Sequence, residues 1–207
     1  MIIFNSNIIR AFFTTIIGLF IIGLCLPMII LKKKGKNPHG THEGTSFLTK
    51  MTTITIFSWL FYIILYIVYG TPLLNFLDIN FLISDYFTIL GMIIITLGVI
   101  LDFWGTVTLG TNFRIELPKE DTILITSGIY KLVRNPIVVG LYLLLFGSFL
   151  IISTIISLIF LIANIITFDS KIKDEENFLA KRFGENFRKY CKEVGRYFPY
   201  CIKKNKL

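Results

Sequence analysis

Two short segments of this chain hold residue types arranged for binding chemistry. The first runs Thr122-Ile-Leu-Ile-Thr-Ser-Gly-Ile-Tyr-Lys-Leu-Val-Arg-Asn-Pro136, which sets a glycine, a tyrosine, an arginine and an Asn-Pro step directly before a long apolar run. Pro136 suits a first helical turn, where its missing N–H costs nothing. Asn135 then takes the N-cap position, and Arg134 is aimed into the membrane interface. The second segment runs from Lys171 to Gly184 and includes Asp174, Glu175 and Glu176. On a helix Lys171 and Glu175 are four apart and share a face, so a cation and a carboxylate stand together beside the bilayer.

Three other sets of residues invite a chemical reading. Asp102 lies inside a third apolar run, and an intramembrane carboxylate is a functional candidate by default, although it stands close enough to the end of the run to snorkel to the interface. His39, His42 and Glu43 have the spacing of a metal string, but the Gly, Pro and Thr residues around them read as a flexible loop, and no metal is expected. Cys25, Cys191 and Cys201 show no pair spacing and read as free thiols.

The elements that position these residues must be membrane helices. Of 207 residues, 54% are hydrophobic and 16% charged, against roughly 25% charged in a soluble domain. With a mean hydropathy of +0.73, the chain cannot cover itself with polar surface, and a soluble enzyme is excluded. Apolar runs near 8–31, 48–70 and 86–108 each suffice to cross a hydrocarbon core of ~30 Å. The first run ends in Lys32, Lys33 and Lys34 instead of a small-residue cleavage site, so it reads as a retained helix and not a signal peptide. The stretch from Pro136 to Phe168 would be about 50 Å long as one straight helix, so it must fold back, with Ser153-Thr154 as the turn.

The fold class that follows is an all-α integral membrane protein of five transmembrane helices, the last two a short hairpin, with a cytoplasmic C-terminal helical region. Charge supports this topology. Twenty of the 21 Lys and Arg residues fall in the first loop, the third loop and the tail after Phe168, and only Arg10 lies on the other side. The expected orientation in the cell membrane is therefore N-terminus outside and C-terminus cytoplasmic. The net charge of +8 then faces anionic lipid headgroups, and no nucleic-acid partner is expected. The last helix can run on past Phe168 until Gly184 ends or kinks it, and Phe187, Tyr190 and Val194 mark a further amphipathic helix. Residues 1–85 form an N-terminal pair of transmembrane helices, and 86–207 the functional core.

The order of the two chemical segments resembles the isoprenylcysteine carboxyl methyltransferase family and its phospholipid methyltransferase relatives. The matching residues are Gly128, Tyr130, Arg134, Asn135, Pro136 and Gly140, then, beyond a hydrophobic hairpin, Glu175, Glu176, Leu179, Phe183, Gly184, Phe187, Tyr190 and Pro199. Trp104, Leu109, Gly110, Asn112 and Phe113 add to the likeness upstream, so it covers about residues 100–200.

The resemblance implies an S-adenosylmethionine-dependent methyltransferase, with its cofactor in a cytoplasmic pocket roofed by the C-terminal helix and an opening to the lipid for a lipophilic acceptor. Carried over by position, cofactor contacts fall on Thr122, Ile123, Leu124 and Ile125, on Tyr130, on Asn135, Pro136, Ile137 and Val138, and on the carboxylate of Glu175. Arg134 and Lys171 become the catalytic cations that hold a substrate carboxylate, which is already nucleophilic and needs no base. Methyl transfer from a sulfonium requires orientation and electrostatics and no metal. The family has Arg where this chain has Lys171, and Lys cannot grip a carboxylate bidentately. An amine or phospholipid N-methyltransferase is therefore the alternative within the resemblance. A non-enzymatic membrane protein or a sterol-reductase-like protein is the alternative outside it.

Overall fold

The computed structural model describes residues 5–33, 47–70, 79, 84–110 and 123–200. Six α-helices are present among them: α1 Ser6–Lys33, α2 Phe47–Tyr69, α3 Asp85–Leu109, α4 Pro136–Ile152, α5 Ile155–Phe183 and α6 Glu185–Glu193. A 3-10 turn, Gly128–Lys131, precedes α4. The described residues form no strand, and a single parallel bridge joins Val133 to Gly195. His39, His42, Glu43, Thr122, Asn112 and Phe113 lie outside the described residues.

Four of these helices contain segments long and apolar enough to cross a membrane, namely Ser6–Gly23 within α1, then Phe47–Tyr69, Asp85–Leu109 and Ile155–Phe183. The fifth apolar helix, Pro136–Ile152, has 17 residues, which is about 25 Å at 1.5 Å per residue and shorter than a full crossing. Large apolar side chains point outward on these helices, among them Phe57, Phe61, Ile93, Phe103 and Ile159. That inverted surface suits lipid and would be a liability in water. The chain is a multi-pass, all-helical membrane protein.

Local sequence explains where the helices stop. Ser153 adopts the left-handed conformation (φ 49°) and its N–H donates to the carbonyl of Phe149, while Thr154 begins α5 with a reciprocal capping box to Ser157. The fold-back therefore sits at Ser153-Thr154, as the sequence predicts. The α5 helix then continues for 29 residues. Its apolar part ends at Phe168, and its second half, rich in charge, projects beyond the apolar layer. Gly184 has φ 53° and ψ −124°, a conformation open to glycine alone, and it turns the chain into α6.

Arg10, near the start of α1, has a defined task. Its guanidinium donates to the carbonyls of Ile67 and Val68 in the last turn of α2, satisfying groups that a helix end leaves without partners.

The α3–α4 pair is the tightest in the molecule. Gly91, Gly98 and Gly105 recur every seven residues along α3 and meet Gly147, Gly140 and Pro136-Ile137 along α4. A Cβ on Gly98 would lie 2.7 Å from the Gly140 carbonyl oxygen, and a Cβ on Gly140 only 2.6 Å from that of Gly98. Backbones in such contact gain dispersion energy that lipid tails cannot supply. Around this pair Ile9, Phe13, Ile16 and Phe20 form the inner face of α1, against Trp59, Ile63 and Tyr66 of α2 and Ile95, Leu141, Leu144 and Leu145 of α3 and α4. Phe13 meets Tyr66 edge to face, and Phe20 meets Trp59 likewise.

Candidate functional site

The two chemical segments meet at the end of α4 that carries Pro136. Gly128 opens the 3-10 turn with φ 58°, and a Cβ there would stand 2.8 Å from Thr108 near the end of α3. Glycine is therefore required twice over, by conformation and by space. The turn buries Ile129 and Tyr130. After it, Val133 pairs with Gly195, the Arg134 N–H donates to the Gly195 carbonyl at 2.9 Å, and the Asn135 N–H donates to the Arg196 carbonyl at 3.2 Å. Asn135 is the N-cap of α4, as expected, although its side chain makes no capping bond and its Nδ2 reaches toward the Arg196 carbonyl instead.

Arg134 does not point outward into the interface. Its side chain is 10% exposed, and Nε and Nη2 both donate to Oε1 of Glu176, at 3.1 and 2.9 Å. Nη1 donates to the carbonyls of Cys191 and Val194. Four of its five N–H groups are thus engaged with α5 and the end of α6. The inward turn follows from the cost of leaving those carbonyls and a carboxylate without partners. Glu176 is shared: its second oxygen, Oε2, accepts from Nε and Nη2 of Arg196. Arg196 also stands 3.6 Å from Asp169, and Asp169 accepts from Tyr197 at 2.7 Å and pairs with Lys173 at 2.6 Å. These bonds latch the segment after α6 onto α5.

Below the latch, α6 packs Phe187, Tyr190 and Val194 against Leu179, Ala180 and Phe183 of α5 and against Leu124. The Tyr190 hydroxyl donates to the Tyr130 carbonyl at 2.7 Å. Burial pushes its phenol up to about 12, partly offset by the Arg134 charge, so it remains a donor at every physiological pH. The residues 123–126 cross this cluster without regular structure, and among the described residues their backbone groups make no hydrogen bond with other backbone.

Glu175 differs from Glu176 next to it. Two turns beyond the apolar part of α5, its side chain is 35% exposed and its nearest cation is Lys171, 3.6 Å away. The packed surroundings still raise its carboxyl above the ordinary carboxylate range by desolvation, which Lys171 partly counters and Asp174 and Glu176 reinforce. Tyr130 is buried within electrostatic reach of Glu175: burial raises its phenol first, followed by the charges of Tyr190, Asp102 and Glu175.

The predicted residues are therefore divided by the structure. Glu175, Lys171, Tyr130 and the backbone at Ile123, Leu124 and Ile125 gather at one end of the bundle. Pro136 and Ile137 pack on Gly105 of α3, with Val138 half-buried in the same first turn of α4. Arg196, Tyr197 and Asp169 were not singled out from the sequence, because Arg196 and Tyr197 lie 20 and 28 residues from their partners on α5 and no local spacing announces them. Glu176 is a ligand of two arginines, a role its place in an acidic run concealed.

Residues 86–186 match the family "Phospholipid methyltransferase". Protein-S-isoprenylcysteine O-methyltransferase of Schizosaccharomyces pombe is 33% identical over 126 residues, 58% of this chain and 52% of that protein. The Xenopus laevis enzyme of the same name is 29% identical over 119 residues, 56% of this chain and 41% of that protein. The chain thus spans about half the length of the curated relatives it matches. The solved structure of the eukaryotic intramembrane Ras methyltransferase, isoprenylcysteine carboxyl methyltransferase, shares the fold with a TM-score of 0.63 over 96% of this chain and 69% of that one, at 21% identity. In class, the described residues form a multi-pass helical membrane fold like that of the solved structure. Within that class the chain is similar to protein-S-isoprenylcysteine O-methyltransferases over a little more than half of its length.

Proposed function

We propose that the chain is an S-adenosylmethionine-dependent membrane methyltransferase that esterifies the carboxyl group of an isoprenylcysteine-like or other lipophilic acceptor reaching the site from the bilayer. The observation that carries the reading is the contrast of adjacent carboxylates. Glu176 is consumed by two arginines, whereas Glu175 is 35% exposed with Lys171 as its neighbour at 3.6 Å. The residues fit the cofactor: Glu175 matches its ammonium, the backbone at 123–125, which has no backbone partner among the described residues, and the ring of Tyr130 suit its adenosine, and Asn135 to Val138 lie at the start of α4 beside them. Bound there, S-adenosylmethionine supplies an electrophilic methyl group on a sulfonium.

The chain's own residues bind and orient. Lys171, which pairs with Glu175 at 3.6 Å, is the cation assigned here to an acceptor carboxylate, and Arg134 holds the latch that roofs the site. Residues 86–207 form the methyltransferase core and 1–85 the N-terminal helices. Five spans, with the α4–α5 hairpin in a thinned bilayer, put the N-terminus outside and the site in the cytoplasm. A second reading, N-methylation of an aminolipid, is favoured by the phospholipid methyltransferase match at residues 86–186.

The test is methyl transfer by the purified chain, in detergent or vesicles, to a farnesylated cysteine analogue and to phosphatidylethanolamine. Product from the first acceptor supports carboxyl methylation. Product from the second alone overturns it in favour of the amine.

A further inference from the structure

The chain beyond α6 leaves the candidate site and runs along α4 toward the apolar layer. Its start is fixed at the first turn of α4, where Val133 pairs with Gly195 and the Asn135 N–H donates to the Arg196 carbonyl. Two residues after Gly195, the Tyr197 ring stands 5.7 Å from the ring of Tyr142. Tyr142 lies six residues beyond Pro136 in α4, a helix without a charged residue, and so about 9 Å along its axis.

Helix α5 sets the level of this contact. The Tyr142 hydroxyl donates to the Ile165 carbonyl at 3.3 Å, and the Tyr197 hydroxyl donates to Asp169 at 2.7 Å. Between those two positions Ile166 is exposed, so the outward apolar surface of α5 reaches to about 4.5 Å along the axis from Asp169. Tyr197 is therefore held where apolar surface gives way to charge. Phe198 and Tyr200 follow it directly and are 78% and 53% exposed. With consecutive Cα atoms ~3.8 Å apart, both start close to that border. The turn that presents them is specified by sequence, because a Cβ on Gly195 would overlap the Phe198 carbonyl oxygen.

A fixed segment that ends in exposed rings gains nothing from water around Phe198. At a membrane interface the same rings are favourable, since aromatic side chains collect at headgroup level with cations nearby. Lys173, one turn past Asp169 on α5, is exposed, and Lys203, Lys204 and Lys206 follow in the sequence.

We infer that Phe198, Pro199 and Tyr200 form an anchor that enters the headgroup region of the bilayer beside α4 and α5. The partner is the membrane surface, and not a second copy of the chain or a soluble protein, because the patch continues the outward apolar surface of α5. The inference is independent of the proposed chemistry. Its consequence is that Arg196, which grips Glu176, belongs to a segment tied to the bilayer.

Tryptophan fluorescence of the full chain in phosphatidylcholine vesicles tests this. Phe198→Trp and Tyr200→Trp are each compared with the native chain, so that the signal of Trp59 and Trp104 is subtracted, and Lys189→Trp on the exposed charged face of α6 is the control. The tryptophan added at 198 or 200 should emit to the blue of the one at 189 and be shielded from acrylamide. It should be quenched by phosphatidylcholine brominated high on the acyl chain more than by lipid brominated near the chain end. Position 189 should show acrylamide quenching and little bromolipid quenching. Acrylamide quenching without bromolipid quenching at both 198 and 200 overturns the inference, as does bromolipid quenching at 189 equal to theirs. Shielding from both quenchers also overturns it, in favour of a protein partner, which is a second copy of the chain if dilution into excess lipid removes the shielding. Each of these results leaves the proposed methyl transfer to its own test.

Discussion

The α3–α4 pair and the Glu176 latch on α5 both hold distant segments together, and they do so by opposite means. Inside the apolar layer, contact depends on the absence of side chains: Gly91, Gly98, Gly140 and Gly147 bring backbone against backbone. Beyond that layer, contact depends on long charged side chains, with Glu176 clasped between Arg134 and Arg196. The difference follows from the solvent. Lipid offers no hydrophobic force between helices, so close packing must supply the energy. Next to water an apolar contact is favourable in itself, but direction has to come from hydrogen bonds. The proposed site lies at the seam between the two regimes, which suits the lipophilic acceptor and charged cofactor proposed for it.

If the glycine ladder carries the membrane half, filling it should have the largest effect. Gly98→Leu or Gly140→Leu is expected to abolish recovery of a monodisperse folded protein. Gly98→Ala should cost about 1 to 3 kcal/mol or more, as overpacking does, read as a lowered Tm in detergent. Gly18, with nothing within 4 Å of its Cβ position among the described residues, is the control: Gly18→Ala should leave Tm unchanged or slightly raised.

Damage to the charged half should be smaller and local. Glu176→Gln removes the charge that two arginines share, and losing a hydrogen bond to a charged group costs about 1.5 to 3 kcal/mol. The expected result is faster hydrogen exchange or proteolysis confined to residues after α6, with the membrane helices unaffected. Global unfolding would mean that the two halves are not separable.

Lys171 sharpens the comparison on the chemical side. Lys171→Ala should raise acceptor KM several-fold and leave cofactor affinity nearly intact, and Lys171→Arg should retain or improve activity on a carboxylate by restoring a bidentate fork. The smallest effect is expected from Tyr190→Phe, which deletes one buried hydrogen bond to the Tyr130 carbonyl and should cost about 0.5 to 1.5 kcal/mol, measured as a modest drop in Tm.

Much of the helical framework was legible in the sequence because hydrophobic length, charge placement and punctuation residues act locally. The turn at Ser153-Thr154, the run of α5 past Phe168, the break at Gly184 and the buried Phe187, Tyr190 and Val194 follow from spacing within one segment. The glycine ladder is periodic in the sequence, but its meaning depends on which helix lies opposite, and that is a tertiary fact. Arg134 was visible as a motif residue. Its inward turn was not, since its carbonyl partners belong to residues 57 and 60 positions later. Glu175 and Glu176 look alike in a row of acids, and only the packing of the C-terminal segment separates them.

That separation is the centre of the account, and calorimetric titration of S-adenosylmethionine into the purified chain in detergent tests it most directly. The native chain should bind, and its affinity should weaken on acidification at a pH above the ordinary carboxylate range, because desolvation raises the Glu175 carboxyl and its charged form is the one that pairs with the ammonium. Glu175→Gln should bind about tenfold or more weakly and lose that pH dependence. Unchanged affinity in a folded Glu175→Gln protein would contradict the account and move the cofactor's carboxylate elsewhere.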